Sequence, residues 1–99
     1  MHKNSNLVIN EFQLNVLIDE KQKQIFKYIL DNGVYCTTCG DNCKKGVRVN
    51  EIQLTSLNDI MIRGNCNKCN GEFARIFEFG EDREFYKKAD NFRESIKNK

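Results

Sequence analysis

The sequence predicts a small α+β domain: an antiparallel sheet of about three strands, preceded by a strand and a helix and closed by a C-terminal amphipathic helix. Three observations support this fold class. The chain has 99 residues, 39% of them hydrophobic, which is enough for one modest core. Strand-like segments flank a cysteine pair, and apolar residues recur at helical spacing near the C-terminus. We therefore expect residues 1–99 to form a single domain with three segments, 1–33, 34–80 and 81–99.

Residues 12–18 fit two different local structures. Apolar side chains alternate along this segment, which predicts a strand. They are Phe12, Leu14, Val16 and Ile18. The alternative is a helix that begins near Asn10, because Asn10 followed by Gln13 resembles a capping box. We expect the strand and leave the helix open.

The following segment, residues 20–31, is predicted to be a helix. Asp19 is a suitable N-cap, good helix formers follow it, and Gly33 ends the pattern. The apolar stripe of this helix consists of Ile25, Phe26, Ile29 and Leu30. Such a stripe either packs onto the domain or forms a face for a partner. Packing is favoured, because so small a domain needs every apolar face for its core.

Three strands are predicted in the middle of the chain. Residues 46–54 form the first, and residues 59–65 and 72–79 form a hairpin around the second cysteine pair. One face of the last strand carries Phe73, Arg75, Phe77 and Phe79. Because the phenylalanines need to be buried, Arg75 on their face indicates either a buried ion pair or a contact at the rim of the core.

The clearest helix covers residues 81–97. Glu81 or Asp82 stands at its start, and Lys97 and Lys99 stand at its end, where cations interact favourably with the helix dipole. Its apolar stripe consists of Phe85, Ala89, Phe92 and Ile96. We expect this stripe to pack against the phenylalanine-rich face of the sheet rather than to project into solvent.

Two C-x-x-C pairs are the main chemical feature of the sequence. They are Cys36 with Cys39 and Cys66 with Cys69, and residues 40–65 separate them. Two intervening residues let both sulfurs of a pair face one ion, and four thiolates complete the tetrahedron that zinc prefers. Disulfides or a dithiol redox centre are the alternatives. Two pairs with glycines close behind them, in a chain expected to stay reduced, favour zinc.

This arrangement resembles the zinc-ribbon group, in which two cysteine knuckles hold one ion and the second knuckle lies at the turn of an antiparallel hairpin. The resemblance covers roughly Tyr35 to Phe79, which is under half of the chain. It implies one structural zinc ion, and its four ligands match Cys36, Cys39, Cys66 and Cys69. The sequence departs from the common pattern in two ways: neither knuckle contains proline, and Asn70 follows the second pair where glycine is frequent.

The fifth cysteine, Cys43, has three possible interpretations. It is a small buried residue near the site, which is favoured because a free cysteine behaves as a small hydrophobic residue. Alternatively, it replaces one of the four ligands. The third interpretation is a redox-sensitive thiol, whose pKa the neighbouring Lys44 and Lys45 would lower if their side chains approach it.

Charge and composition exclude several classes of function. The formal net charge is +2, and four thiolates with one zinc ion would bring it close to zero, so bulk charge gives no case for nucleic-acid binding. No stretch approaches the length of a membrane span or of a signal-peptide core, which predicts a cytoplasmic protein. The only histidine, His2, is a poor general base in a terminus expected to be disordered.

The sequence therefore predicts a non-enzymatic module in which one zinc ion is structural and an exposed face binds a protein. The partner is either an unidentified protein or a second copy of the chain. A zinc-ribbon nucleic-acid binder is the first alternative; basic residues near the knuckles could line one surface for it. They are Lys44, Lys45, Arg48, Arg63, Lys68 and Arg75. A thiol redox protein that uses Cys43 is the second alternative.

Overall fold

The computed structural model describes residues 6–32, 34–43 and 45–97, and it confirms the α+β class. A short 3₁₀ turn, Phe79–Glu81, precedes the last helix. The strands are β1 (Leu7–Ile9), β2 (Tyr35–Cys36), β3 (Asp41–Asn42), β4 (Val47–Leu54), β5 (Ile60–Cys66) and β6 (Glu72–Phe77). The helices are α1 (Glu11–Leu17), α2 (Glu20–Asn32) and α3 (Arg83–Lys97). None of the helices in these ranges is long and apolar enough to cross a membrane.

The main sheet has four strands in the order β1-β4-β5-β6, and every neighbouring pair is antiparallel. The three strands predicted in the middle of the chain are confirmed as β4, β5 and β6. Strands β2 and β3 form a separate two-stranded hairpin. Register across the sheet aligns apolar residues on one face, as in the row Ile9, Ile52 and Ile62. The helices cover this face, and the core lies between the two layers.

The strand predicted for residues 12–18 is wrong, and the helix that was its alternative is present as α1. The capping box has both of its hydrogen bonds: Gln13 N donates to Asn10 Oδ1 at 2.7 Å, and Asn10 N donates to Gln13 Oε1 at 2.9 Å. Burial follows the helical period, because Leu14 and Leu17 are buried whereas Phe12 is 76% exposed. Over seven residues, the apolar pattern was compatible with both the two-residue period of a strand and the 3.6-residue period of a helix. The N-terminal strand is instead β1, immediately before the cap.

Helix α2 confirms the prediction for residues 20–31. Asp19 and Gln22 form a second reciprocal cap, with bonds of 2.8 and 2.9 Å. The helix ends at Asn32, and Gly33 lies outside the described residues. Three of the four stripe residues pack onto the domain: the Phe26 ring stacks on that of Phe77 with centroids 4.7 Å apart, and Ile29 and Leu30 also contact the core. Ile25 is 42% exposed, so the prediction is wrong for this residue.

Helix α3 packs inward through the first half of its stripe. Phe85 and Ala89 are buried, Phe92 is partly buried, and Ile96 in the last turn is 38% exposed. The contacts of α3 run to α1 and to the 3₁₀ turn, where the Phe79 ring bridges Phe85 and Phe77. Phe79, predicted to lie on the last strand, is instead in the 3₁₀ turn, and its ring connects the α3 stripe to Phe77 of the sheet.

Arg75 of β6 makes a contact at the rim of the core. Its side chain is exposed, and its guanidinium carbon lies 6.0 Å from the centre of the Phe77 ring. The described residues form no ion pair with it. Of the two interpretations of Arg75, the structure supports the rim contact.

The turn between β4 and β5 carries a buried polar group that the sequence did not single out. Asn58 is fully buried at a positive φ of 61°, and its Nδ2 donates to Asp90 Oδ1 at 3.0 Å. Arg93 of α3 is also buried, and its guanidinium donates to the carbonyl of Thr55. These bonds fix the last helix to the hairpin turn.

Candidate metal centre

Each cysteine pair lies at the tip of a hairpin and closes in the same way. Cys36 is the last residue of β2 and Cys39 lies in the turn to β3, whereas Cys66 is the last residue of β5 and Cys69 lies in the turn to β6. The N–H of the residue after each pair donates to the carbonyl of the first cysteine. These bonds are Gly40 N to Cys36 O at 2.9 Å and Asn70 N to Cys66 O at 2.8 Å. The two knuckles are therefore equivalent local structures.

A left-handed residue follows each pair, and this explains the departure at Asn70. Gly40 has φ +73° and Asn70 has φ +62°. Glycine adopts this conformation without steric cost, and asparagine is among the residues that tolerate it best. Asn70 therefore fits the position that glycine often occupies, and its side chain adds an interaction, since Arg48 Nη2 donates to its Oδ1 at 2.6 Å.

The four sulfurs form one compact cluster. All of them lie within 4.8 Å of one another, with Cys36 Sγ 3.4 Å from Cys69 Sγ and Cys39 Sγ 3.8 Å from Cys66 Sγ. In a tetrahedron with Zn–S bonds of about 2.3 Å, the sulfurs are about 3.8 Å apart. Each of the two close contacts joins one knuckle to the other. The spacing and the all-sulfur donor set fit a single soft or borderline metal ion.

Backbone N–H groups point at the sulfurs and favour their charged forms. Cys39 N donates to Cys36 Sγ at 3.4 Å, and Gly71 N donates to Cys69 Sγ at 3.3 Å. The bond from the Cys39 amide is the main cause that lowers the pKa of Cys36. The Cys69 amide does the same for Cys66 and lowers its pKa to about 6, against the opposing effect of burial. A thiolate is the form that binds a metal, so these amides prepare the site for a cation.

The other knuckle thiol with a shifted pKa is Cys39, and its shift has the opposite direction. Its hydrogen bond with Cys69 is the largest cause that raises the pKa of Cys39, and burial adds to the effect. Thiols this close share protons when no cation is present, since a cluster of neighbouring thiolates would repel one another. A divalent cation would take the place of those protons.

Contacts between the two hairpins hold the knuckles together. Gly71 lies so close to the first knuckle that a Cβ atom at this position would be 2.6 Å from Thr38 Oγ1. Asn65 Nδ2 donates to the carbonyl of Asn70 at 3.0 Å and stiffens the second knuckle. The glycine at position 71 is the one feature of the sequence that could have indicated the Thr38 contact.

The turn that contains Cys43 is hydrogen-bonded to the second knuckle. Asn67 N donates to Gly46 O and Asn67 Nδ2 donates to Lys45 O, both at 3.0 Å. Cys43 N donates to Val34 O at 2.8 Å. These bonds hold Cys43 beside the second knuckle, where its buried side chain hydrogen-bonds with that of Cys66.

Cys43 belongs to the hydrophobic core and lies outside the group of four sulfurs. Its side chain is 3% exposed. Burial, with a smaller contribution from a hydrogen bond with Cys66, raises the pKa of Cys43 to about 12. A reactive redox thiol needs the opposite properties, a lowered pKa and access to solvent. The position fits the first interpretation, a small buried residue beside the site.

The basic residues near the knuckles that the structure describes are all exposed: Lys45, Arg48, Arg63, Lys68 and Arg75. Two of them also make contacts, since Arg48 bonds to Asn70 and Arg75 lies over Phe77. Lys44 and His2 lie outside the described residues.

A comparison of the chain with protein-family models, with curated proteins and with solved structures finds no match in any of the three. The assignment of the site therefore depends on its own geometry.

Proposed function

We propose that this chain is a non-enzymatic structural-zinc module, held by one Zn²⁺ on Cys36, Cys39, Cys66 and Cys69, that presents a protein-binding surface in the cytoplasm. The cluster of four sulfurs carries the proposal, because it is the one group of described residues arranged to hold a metal ion. Zinc is the usual occupant of a four-cysteine site with two C-x-x-C pairs. A reducing compartment keeps such thiols available to the ion.

The structural role follows from the coordination chemistry. Catalytic zinc sites keep one position open for water or substrate, whereas four thiolates fill a tetrahedral ion completely. The ion would join the β2–β3 hairpin to the β5–β6 hairpin, and each hairpin contributes two sulfurs. The support is therefore for a folding role rather than for a reaction at the metal.

The outer face of the sheet supports protein binding over nucleic-acid binding. The helices cover the other face, and apolar side chains remain on the outer one, with Val8 67% and Ile76 52% exposed. Single-stranded nucleic acids stack on exposed aromatic rings. Phe73 and Phe77 of the main sheet are buried, and the exposed rings, those of Phe12, Tyr28, Tyr35 and Tyr86, lie outside this sheet. A mixed apolar face is more typical of a protein contact.

The test is native mass spectrometry of the purified protein together with a nucleic-acid binding assay. We expect one zinc ion per chain and no salt-sensitive binding to bulk DNA or RNA. A metal-free chain that is fully folded would refute the structural-zinc role. Salt-sensitive binding to nucleic acid would favour the nucleic-acid alternative.

A further inference from the structure

Strand β6 forms one edge of the main sheet. Among the strands that the structure describes it pairs only with β5, in an unbroken antiparallel register from Ile60↔Phe77 to Asn65↔Glu72. The β2–β3 hairpin contacts β6 but does not pair with it. At the opposite edge of the sheet, β1 is only half as long as β6.

The hydrogen bonds of β5 show which backbone groups of β6 face outward. Cys66 N donates to Gly71 O at 2.8 Å, so the N–H and C=O of Cys66 face the β6 side. In an antiparallel strand these groups alternate in direction, so Gly64, Ile62 and Ile60 face the same way. The backbone N–H and C=O groups of their partners in β6 therefore face back towards β5. These partners are Phe73, Arg75 and Phe77.

It follows that the backbone groups of the other three residues of β6 point away from the sheet. These residues are Glu72, Ala74 and Ile76. Within the described part of the chain no backbone or side-chain group bonds to the outward N–H or C=O of Ala74 and Ile76. All three side chains are exposed. The edge therefore offers a strand-length row of unpaired donors and acceptors.

This edge has few of the features that usually prevent strands from pairing. Protected edges carry proline, charged residues (lysine above all), inward-pointing charges or a bulge, or are covered by a loop. The chain has no proline, β6 contains no lysine, and its register is regular. The shift of register in this sheet lies instead in β4, between Val49 and Glu51. The charged residues of β6 are Glu72 and Arg75; Arg75 lies on the core-facing side, but its side chain is exposed at the rim.

We propose that two copies of this chain pair antiparallel through β6, with Ala74 opposite Ala74 at the two-fold axis, so that one sheet continues across a homodimer. In this register Ala74 lies opposite Ala74 of the partner subunit, and Glu72 lies opposite Ile76 of the partner subunit. Each of these pairs joins outward-facing residues, which exchange both N–H···O bonds. Arg75 lies opposite Phe73 of the partner subunit, so the interface places no like charges opposite each other.

The neighbouring register is less favourable. Centring the axis on Arg75 would place two guanidinium groups directly opposite, and it would set Glu72 against the partner's Glu78. Like charges directly opposite each other destabilise a strand pair. Centring the axis on Phe73 would set Ile76 against the partner's Asn70, which lies beyond the strand, so only two of the three outward-facing residues would pair within β6. In the Ala74 register all three pair and no like charges are opposite, and this self-complementarity points to a second copy of the chain as the occupant. The inference goes beyond the proposed function, because it uses the sheet edge and is independent of which metal the four thiols bind.

The experiment measures the mass of the intact zinc-loaded protein by sedimentation velocity over a concentration series that reaches the high-micromolar range. We expect the mass to rise from the 11.6 kDa of one chain towards twice that value. Ile76→Glu places a carboxylate opposite Glu72 of the partner subunit, twice per dimer. It should weaken dimerisation by about tenfold or more.

Val8→Glu is the matched control. Val8 and Ile76 lie at opposite ends of one row across the outer face, through Gln53 and Met61, and both are exposed. Val8→Glu should leave dimerisation unchanged. Adding Glu72→Lys to Ile76→Glu places opposite charges against each other in the Ala74 register and should restore the dimer.

Hydrogen exchange gives a readout that needs no variant. The amides of Ala74 and Ile76 should exchange more slowly as the protein concentration rises, whereas those of Phe73 and Arg75, already bonded to β5, should not change. A monomer at every concentration overturns the proposal, as does equal weakening by Val8→Glu and Ile76→Glu. Failure of the double variant to recover overturns the Ala74 register. Zinc content, measured on each sample, separates loss of pairing from loss of the metal site.

Discussion

Arg93 of α3 donates a hydrogen bond from Nε to Oδ1 of Asn58 at 2.9 Å, and both side chains are buried. Burial lowers the pKa of the Arg93 guanidinium, and the nearby Asp90 partly opposes this effect. The charge is nevertheless well solvated by the protein, since Thr55 O also accepts from it. One asparagine in a turn therefore holds a buried cation of the last helix.

Removing Asn58 should be among the most destabilising changes outside the metal site. Asn58→Ala leaves Arg93 Nε without its acceptor and puts alanine at a positive φ, so we expect a loss of about 2–4 kcal/mol in the free energy of unfolding. Urea denaturation of the zinc-loaded protein measures it. Arg83→Met, on the exposed side of α3, is the control and should change stability by less than about 0.5 kcal/mol. Equal losses in the two variants would contradict the role of the buried bond.

The cysteine assignment predicts opposite outcomes at Cys66 and Cys43. Cys66→Ser should lose bound zinc, because it removes one of four thiolates. Cys43→Ser should keep the full metal content, because Cys43 lies outside the group of four sulfurs. Native mass spectrometry compares the two variants directly. Loss of zinc from Cys43→Ser would mean that the ligand set differs from the one proposed.

Removing the metal should unfold the hairpins that it joins. Structural zinc sites contribute ~10 kcal/mol or more of apparent binding free energy, which is comparable to the whole stability of a domain. After chelation we expect fast amide exchange in β2, β3 and both knuckles, and a lower melting temperature. Adding zinc back should restore both. Unchanged exchange after complete metal removal would refute the structural role.

The left-handed position in the second knuckle predicts a graded series. Asn70→Gly keeps the conformation but loses the bond from Arg48, so it should cost at most about 1 kcal/mol. Asn70→Val loses that bond and also strains a β-branched residue at a positive φ, so it should cost about 2–3 kcal/mol. Thermal melting of the loaded proteins ranks the variants. Equal melting temperatures for Gly and Val would show that the φ angle is not the constraint.

Truncation after Gly80 tests the last helix. It removes Phe85 and Ala89 from the core, together with the Arg93 bond, and burying one phenylalanine is worth roughly 1.5–3 kcal/mol. The shortened chain should melt at a lower temperature or aggregate. A soluble product with an unchanged melting temperature and zinc content would instead make α3 a separable arm.

The sequence predicted the parts of the fold that depend on local patterns. Phe85 and Ala89 stand at helical spacing and are buried, and the two cysteine pairs come together as their spacing indicated. Residues 12–18 were misassigned because a seven-residue helix is too short for its period to outweigh an alternating pattern. The cap of Asn10 with Gln13 was the more reliable signal. The bond between Asn58 and Arg93 was beyond prediction, since it joins residues far apart in sequence and neither has a distinctive neighbour.

The connection between the knuckles has a consequence for the unfolded chain. A metal ion held by Cys39 and Cys66 closes residues 40–65 into a loop that contains all of β4 and most of β5. By the chain-entropy relation for cross-links, a loop of this length stabilises the folded state by roughly 3–4 kcal/mol. That gain does not depend on any contact that the ion makes in the native protein. Metal loading before folding would therefore shorten the conformational search for the central strand pair.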